Sequence, residues 1–312
     1  MRNIFCFLFF ILASLKSFSQ APTDKVNYLT QQPEDILRDL SEQILTGTTT
    51  ADRLEADSVF TRLLVKSLKA QYSFFYPFDS LTTISKIYAP DSSFRIFTWQ
   101  VEISESFFRQ HGAIQMNTSD GSLKLFPLID KSDITSQYED TIADNKGWMG
   151  AVYYNIIMKE YEGKKYYTLL GYDENNIRSN KKVIEILDMS GEKPLFGKNI
   201  FSIGKKARYV MEYQKAAGAK LNYDQELDMI LMEHLISQTN EPTRKWTLIG
   251  DGDYQGFKWL EGGWVFVDKV FDLVTPENEP PVPTPVTENK FLMPEETPAV
   301  PAKKTTTDKK NQ

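Results

Sequence analysis

Two periodicities divide the chain. From Pro33 the string PEDILRDLSEQILTG spaces apolar residues three and four apart, so Ile36, Leu37, Leu40, Ile44 and Leu45 share one helical face. Pro33 suits a first turn, Glu34 and Asp35 suit the positive end of a helix, and Gly47 suits its stop. After Thr48-Thr49-Thr50 a second helix is expected to about Ala70, with Leu54, Phe60, Leu63, Leu64 and Leu68 on its apolar side. Two helices with a short link form a helical hairpin, and both stripes need a partner surface. The string Tyr72-Ser73-Phe74-Phe75-Tyr76-Pro77-Phe78 reads as an aromatic plug packing that hairpin onto the β region beyond it.

From about Ile84 to Val274 the texture changes to short alternating runs separated by turn residues. A turn at Asp120-Gly121 sets Ile114, Met116 and Thr118 opposite Pro127, Leu125 and Leu123. A turn at Glu162-Gly163 puts Tyr154, Ile156 and Met158 on one face with Leu169 and Tyr167, and Glu160 opposite Lys165. A third at Glu261-Gly262 sets Trp259 against Trp264 and Phe257 against Phe266, aromatic pairs worth roughly 0.2–1 kcal/mol each. The expected fold is mainly β, of the α+β class: a helical hairpin packed on an antiparallel meander. Sandwich, open barrel and small propeller all satisfy the pattern.

The ends have a different composition. Arg2 precedes the apolar run Ile4–Leu15, and Ser17-Phe18-Ser19 follows, the plan of a secretory signal peptide cut after Ser19, or after Gln20. As a helix the run covers about 18 Å, short of the roughly 30 Å hydrocarbon core, and no later segment is long and apolar enough to span. Residues 276–312 carry eight prolines and end in KKTTTDKKNQ, the composition of a disordered tail or an extended envelope spacer. The expected organisation is a signal peptide over 1–19, a leader over 20–32, hairpin and plug over 33–80, a β domain over 81–275 and the tail.

Composition narrows the chemistry. The net charge is −6, and removing 1–19 takes away Arg2 and Lys16 and no acid. Nucleic-acid binding, which needs a basic stripe, is not expected. The one cysteine, Cys6, lies in the leading apolar run, so the exported chain would hold no thiol for disulfide, zinc–cysteine or nucleophilic chemistry. His111 and His234 remain, and neither has a G-x-S-x-G partner; both read as structural, His234 within the apolar run MILMEHLI. No phosphate-binding glycine loop is present, and no cofactor is expected.

Asp251-Gly252-Asp253 begins like a calcium loop, which makes Asp251 and Asp253 weak metal candidates. Gln255 replaces a shorter oxygen ligand and Gly262 stands where a bidentate Glu belongs, so the segment reads better as a turn. Trp246, Tyr254, Trp259 and Trp264 are candidate stacking groups for sugar rings, weighed against a core role for the same aromatics. Acid clusters such as Glu139-Asp140 and Asp173-Glu174 read as solvated loops, although paired carboxylates for glycoside cleavage are invisible to sequence.

The strings LNYDQELDMILMEHLI and GDYQGFKWLEGGWVFVDKVF, with GWMGAVYYNII and LLGYDENN, resemble a family of secreted or periplasmic proteins of Bacteroidota that has no assigned function. The resemblance covers roughly 80–275. It implies an envelope setting and brings no site residue with it. Asp57-Ser58-Val59, Asp79-Ser80-Leu81 and Asp140-Thr141-Ile142 match a short glycosylation signal of the same phylum, a pattern loose enough to arise by chance. The functional expectation is an exported, non-catalytic protein that binds an envelope protein or glycan. The alternative is a carbohydrate-active hydrolase using two carboxylates.

Overall fold

The computed structural model describes residues 23–204 and 206–271, with side chains from Pro33 onward. The signal-peptide run, Cys6 and the proline-rich tail lie outside the described residues. Helices α1 (Thr23–Thr46) and α2 (Thr50–Leu68) form the expected hairpin. α1 starts earlier than its apolar periodicity, so Pro33 sits inside it and 23–32, expected as a loose leader, are helical. A proline inside a helix removes a backbone donor and crowds the carbonyl four residues before it, yet this helix continues through Pro33. Gly47 ends α1 through its N–H to the Gln43 carbonyl at 2.9 Å.

The buried stripe of α1 is narrower than expected. Glu34, Leu37, Ser41 and Ile44 are buried, whereas Ile36 and Leu45 are 55% and 52% exposed. α2 opens on a capping box, Thr49 and Asp52 bonding each other's backbone N–H, a device worth about 1 kcal/mol. It buries Ala56, Phe60, Leu64 and Leu68, spaced by four, and leaves Leu54 42% exposed.

The β region is three antiparallel sheets, and none closes into a barrel. The first is a meander of β1 (Ser85–Tyr88), β2 (Phe94–Ser104), β3 (Phe107–Met116) and β4 (Leu125–Ile129). The second holds β5 (Ala143–Asp144), β6 (Val152–Tyr161), β7 (Lys164–Asp173), β8 (Ser179–Asp188), β9 (Leu195–Phe196) and β10 (Arg208–Gln214), with β9 and β10 along one edge of β8 and β7 along the other. The third is a meander of β11 (Leu221–Asp224), β12 (Met229–Ser237), β13 (Leu248–Leu260) and β14 (Gly263–Val267).

Three cores lie between four layers. Leu37, Ile44, Phe60, Leu64 and Leu68 meet Phe97, Trp99 and Val101 between the helices and the first sheet. Phe94, Ile96 and Ile114 meet Tyr153, Ile156 and Leu169 between the first and second sheets. Ile157, Leu170 and Ile184 meet Ile230, Met232, Phe257 and Trp264 between the second and third. Ile156 and Ile157 thus point to opposite cores, as neighbours in a strand must. The middle sheet is buried on both faces.

The hairpin at Glu261-Gly262 has the expected register, Trp259 opposite Trp264 and Phe257 opposite Phe266, with ring centroids 5.2 and 5.5 Å apart. The hairpin at Glu162-Gly163 also has its expected register from Tyr161 to Asn155. In both turns each central residue has positive φ, the type I′ geometry that matches strand twist. Tyr154 departs from expectation: it sits in a bulge, joins the core facing the third sheet, and donates to the Leu221 carbonyl at 2.8 Å. The hairpin around Asp120-Gly121 is displaced by one residue, so Ile114 faces Phe126 rather than Pro127. The strands part at Met116 and Lys124, and the loop between them is tied to the turn that follows α2: Tyr72 N–H donates to the Gly121 carbonyl and Gln71 Nε2 to the Asp120 carbonyl, both at 2.9 Å.

Candidate functional site

The plug is organised around a cation. Phe74, Tyr76 and Phe78 are buried as expected, and Arg95 on β2 reaches beneath them with no exposure. Its guanidinium donates to the carbonyls of Ser73 and Tyr76, to Tyr88 Oη and to Gln115 Oε1, at 2.6–2.8 Å. It also lies 4.6 Å from the Phe97 ring centroid. Burial lowers its pKa to about 10. All three of its nitrogens donate within the fold, which makes Arg95 a clamp for the plug.

A second buried cation lies in the middle sheet. Arg208 on β10 donates from Nε to Glu185 Oε1 on β8 at 2.6 Å, both side chains almost fully enclosed. Glu185 also accepts from Tyr153 Oη, which in turn accepts from Trp148 Nε1 at 2.8 Å. Burial, reinforced by the Glu185 charge, raises the Tyr153 hydroxyl well above the usual phenol range, so it remains a donor. Beside this network is a cavity of about 30 Å³ lined by Ser132, Tyr138, Gly150, Asp173, Lys181, Glu185 and Arg208. Burial raises the Asp173 carboxyl, which accepts from Gln110 Nε2 at 2.6 Å. Arg208 Nη1 is buried without a partner. The cavity has water's dimensions, well below the roughly 300 Å³ at which ligand pockets begin.

The larger recess is a half-open groove of about 340 Å³ where the C-terminal end of α1, the β2–β3 hairpin and the loop after β7 converge. Ile44, Leu45, Phe108 and Ile177 supply apolar walls, and Leu45 and Ile177 are 52% and 54% exposed. Glu102, Glu105, Glu174 and Lys215 supply charge. Lys215 Nζ is 3.1 Å from Glu174 and 5.0 Å from the Phe108 ring centroid. Gln100 Nε2 donates to Glu174 Oε2 at 2.9 Å, which fixes the amide so that Oε1 is left, buried and without a donor. Sequence reading missed this groove. Its residues come from positions 44 to 215, and only the exposed apolar Leu45 and Ile177 mark it once the layers are known.

The residues singled out from sequence fall elsewhere. Trp264 is fully buried and donates to Thr168 Oγ1 at 2.9 Å; Trp259 packs on it and on Tyr166. Trp246 is 40% exposed under the Arg178 guanidinium, and Tyr254 packs edge-on against Phe271. The structure joins Trp259 and Trp264 in the core and gives Trp246 and Tyr254 other partners, so the four form no single exposed platform.

Asp251, Gly252 and Asp253 bulge out of β13 opposite His234. Asp251 takes His234 Nδ1 at 2.7 Å and the Asp253 N–H at 3.0 Å. Burial opposes ionisation of Asp251, but these bonds hold its carboxyl below the ordinary value. Among the described residues no three His, Cys, Asp or Glu side chains gather to hold a metal ion. The segment is therefore a bulge within β13 and not the separate turn that its composition suggested. His234, expected in a buried run, is 42% exposed there. His111 stacks on Trp99 with its Nδ1 3.7 Å from Asp57, and its Nε2 is buried without a partner. Asp57 itself accepts from Trp99 Nε1 at 2.7 Å, which ties one glycosylation-type match into the core.

No protein-family model, curated protein or solved structure matches the chain.

Proposed function

We propose that the chain is an exported, non-catalytic protein that binds another component of the cell envelope through the groove between α1 and the β2–β3 hairpin. One observation carries the reading: a ligand-sized recess sets exposed Leu45 and Ile177 beside Glu102 and Glu105, whose carboxylates have no ion-pair partner among the described residues. Apolar surface rimmed by polar groups is the usual form of an interaction site. The apolar run Ile4–Leu15 and the resemblance to secreted proteins support export.

The second reading, a hydrolase using paired carboxylates, draws on the raised carboxyl of Asp173 beside Glu185. It ranks lower because Glu185 is held by Arg208 and the adjoining space is about 30 Å³, too little for a sugar ring.

Mild cross-linking of tagged full-length protein in cells, beside the variant Leu45→Asp/Ile177→Asp, tests the binding reading. A discrete adduct in the parent that the variant loses is expected. Equal adducts in both, or none in either while glycan hydrolysis is detected, would overturn it.

A further inference from the structure

The groove contains an unbalanced set of acceptors. Glu102, Glu105 and Glu174 stand against one ammonium, Lys215, which is already committed to Glu174. Neither the Glu102 nor the Glu105 carboxylate has an ion-pair or hydrogen-bond partner among the described residues. Gln100 Oε1 is buried and receives no hydrogen bond. That oxygen is enclosed, so the acceptors open to a partner are the Glu102 and Glu105 carboxylates. Around these acceptors stand the aliphatic side chains of Ile44, Leu45 and Ile177 and the ring of Phe108.

The fold shows what fits such a place. Lys215 lays its ammonium over Phe108 and against a carboxylate, an aliphatic stem ending in a cation. Glu102 and Glu105 offer the same acceptor without an occupant. The recess is half open, so it admits a side chain and its immediate neighbours from a strand of polypeptide that otherwise stays in solvent.

From this we infer that the groove recognises a peptide segment of a partner protein that presents a lysine or arginine flanked by aliphatic residues, the cation meeting the Glu102 and Glu105 carboxylates and the aliphatic neighbours meeting Leu45 and Ile177. The inference rests on the binding reading above and gives its partner a chemistry. It also sets a sign: a purely apolar segment would leave the two carboxylates uncompensated, and an acidic one would be repelled.

Selection of random heptapeptides displayed on phage against full-length protein is the test, repeated on Glu102→Gln/Glu105→Gln and on Leu45→Asp. Circular dichroism first establishes that each variant is folded; all three positions are at or near the surface. The expected result is at least a tenfold enrichment of peptides with Lys or Arg between aliphatic residues. The best of them, fluorescently labelled, should bind the double Gln variant about tenfold more weakly, with a flatter dependence on salt, and the Leu45→Asp variant more weakly at every salt concentration. Enriched peptides without a cation, or equal affinity for the double Gln variant, would overturn the cation inference while leaving a binding protein. Failure to enrich any peptide would overturn the inference too. The binding reading itself falls only if cellular cross-linking also yields nothing that depends on Leu45 and Ile177.

Discussion

Arg208 Nε meets Glu185 Oε1 at 2.6 Å in the middle sheet, with 1% and 2% of the two side chains exposed. Such a pair gains little over apolar residues of the same size, but each member is expensive to leave alone. Glu185→Gln or Arg208→Met should therefore each lower stability by about 3–5 kcal/mol. The double variant Glu185→Gln/Arg208→Met, which keeps an acceptor for Tyr153 Oη, should cost clearly less than the sum of the two single changes. Urea denaturation of the set measures both, and a double variant as unstable as the summed singles would contradict the pairing.

His111 makes stability depend on pH. Burial lowers its pKa, and Asp57 and Asp130 only partly offset this. The neutral ring is thus favoured in the fold, while the unfolded chain takes a proton near the ordinary value of about 6.5. The stabilisation from this group is complete above that value and is lost as pH falls through it toward the lower folded pKa. The urea midpoint should drop between about pH 7.5 and 5.5, and His111→Phe, which keeps a ring over Trp99, should flatten that drop. An unchanged pH profile in the variant would show that His111 does not carry it.

Gly121 and Gly163 share φ near +72°, yet they differ in surroundings. A Cβ on Gly121 would lie 2.4 Å from Tyr72 Cδ1, whereas one on Gly163 meets nothing within 4 Å. Gly163→Ala should cost the left-handed penalty alone, about 1–2 kcal/mol. Gly121→Ala should cost at least about 1 kcal/mol more, because the Tyr72 ring must shift in a packed junction. Thermal unfolding of the two variants side by side distinguishes these terms.

Much of this architecture was legible where one side of an element decides its environment. Trp259 and Trp264 pair as their turn and alternation require, and Leu37 and Ile44 lie on the buried stripe of α1. Expectation failed where the deciding contact was remote. The loop at Asp120-Gly121 bonds Tyr72 and Gln71, and that tie accompanies a one-residue shift that no local pattern contains. Arg95 occupies a position that alternation assigns to the same face as Phe97 and Trp99, so FRIFTW already placed a cation in a core. The signal was present, but a charged residue in a strand is ordinarily read as facing water. The groove is less legible still, since Leu45, Glu102, Ile177 and Lys215 meet only through the packing of the layers.

The most direct test of the groove as the working surface is a photo-cross-linking amino acid placed at Ile177 in full-length protein in its own cells, with Leu260 as the control. Leu260 is 49% exposed, close to the 54% of Ile177, but does not line the groove. A discrete protein adduct from position 177 and none from 260 is the predicted result. Adducts of equal intensity from both positions, or from 260 alone, would contradict the account.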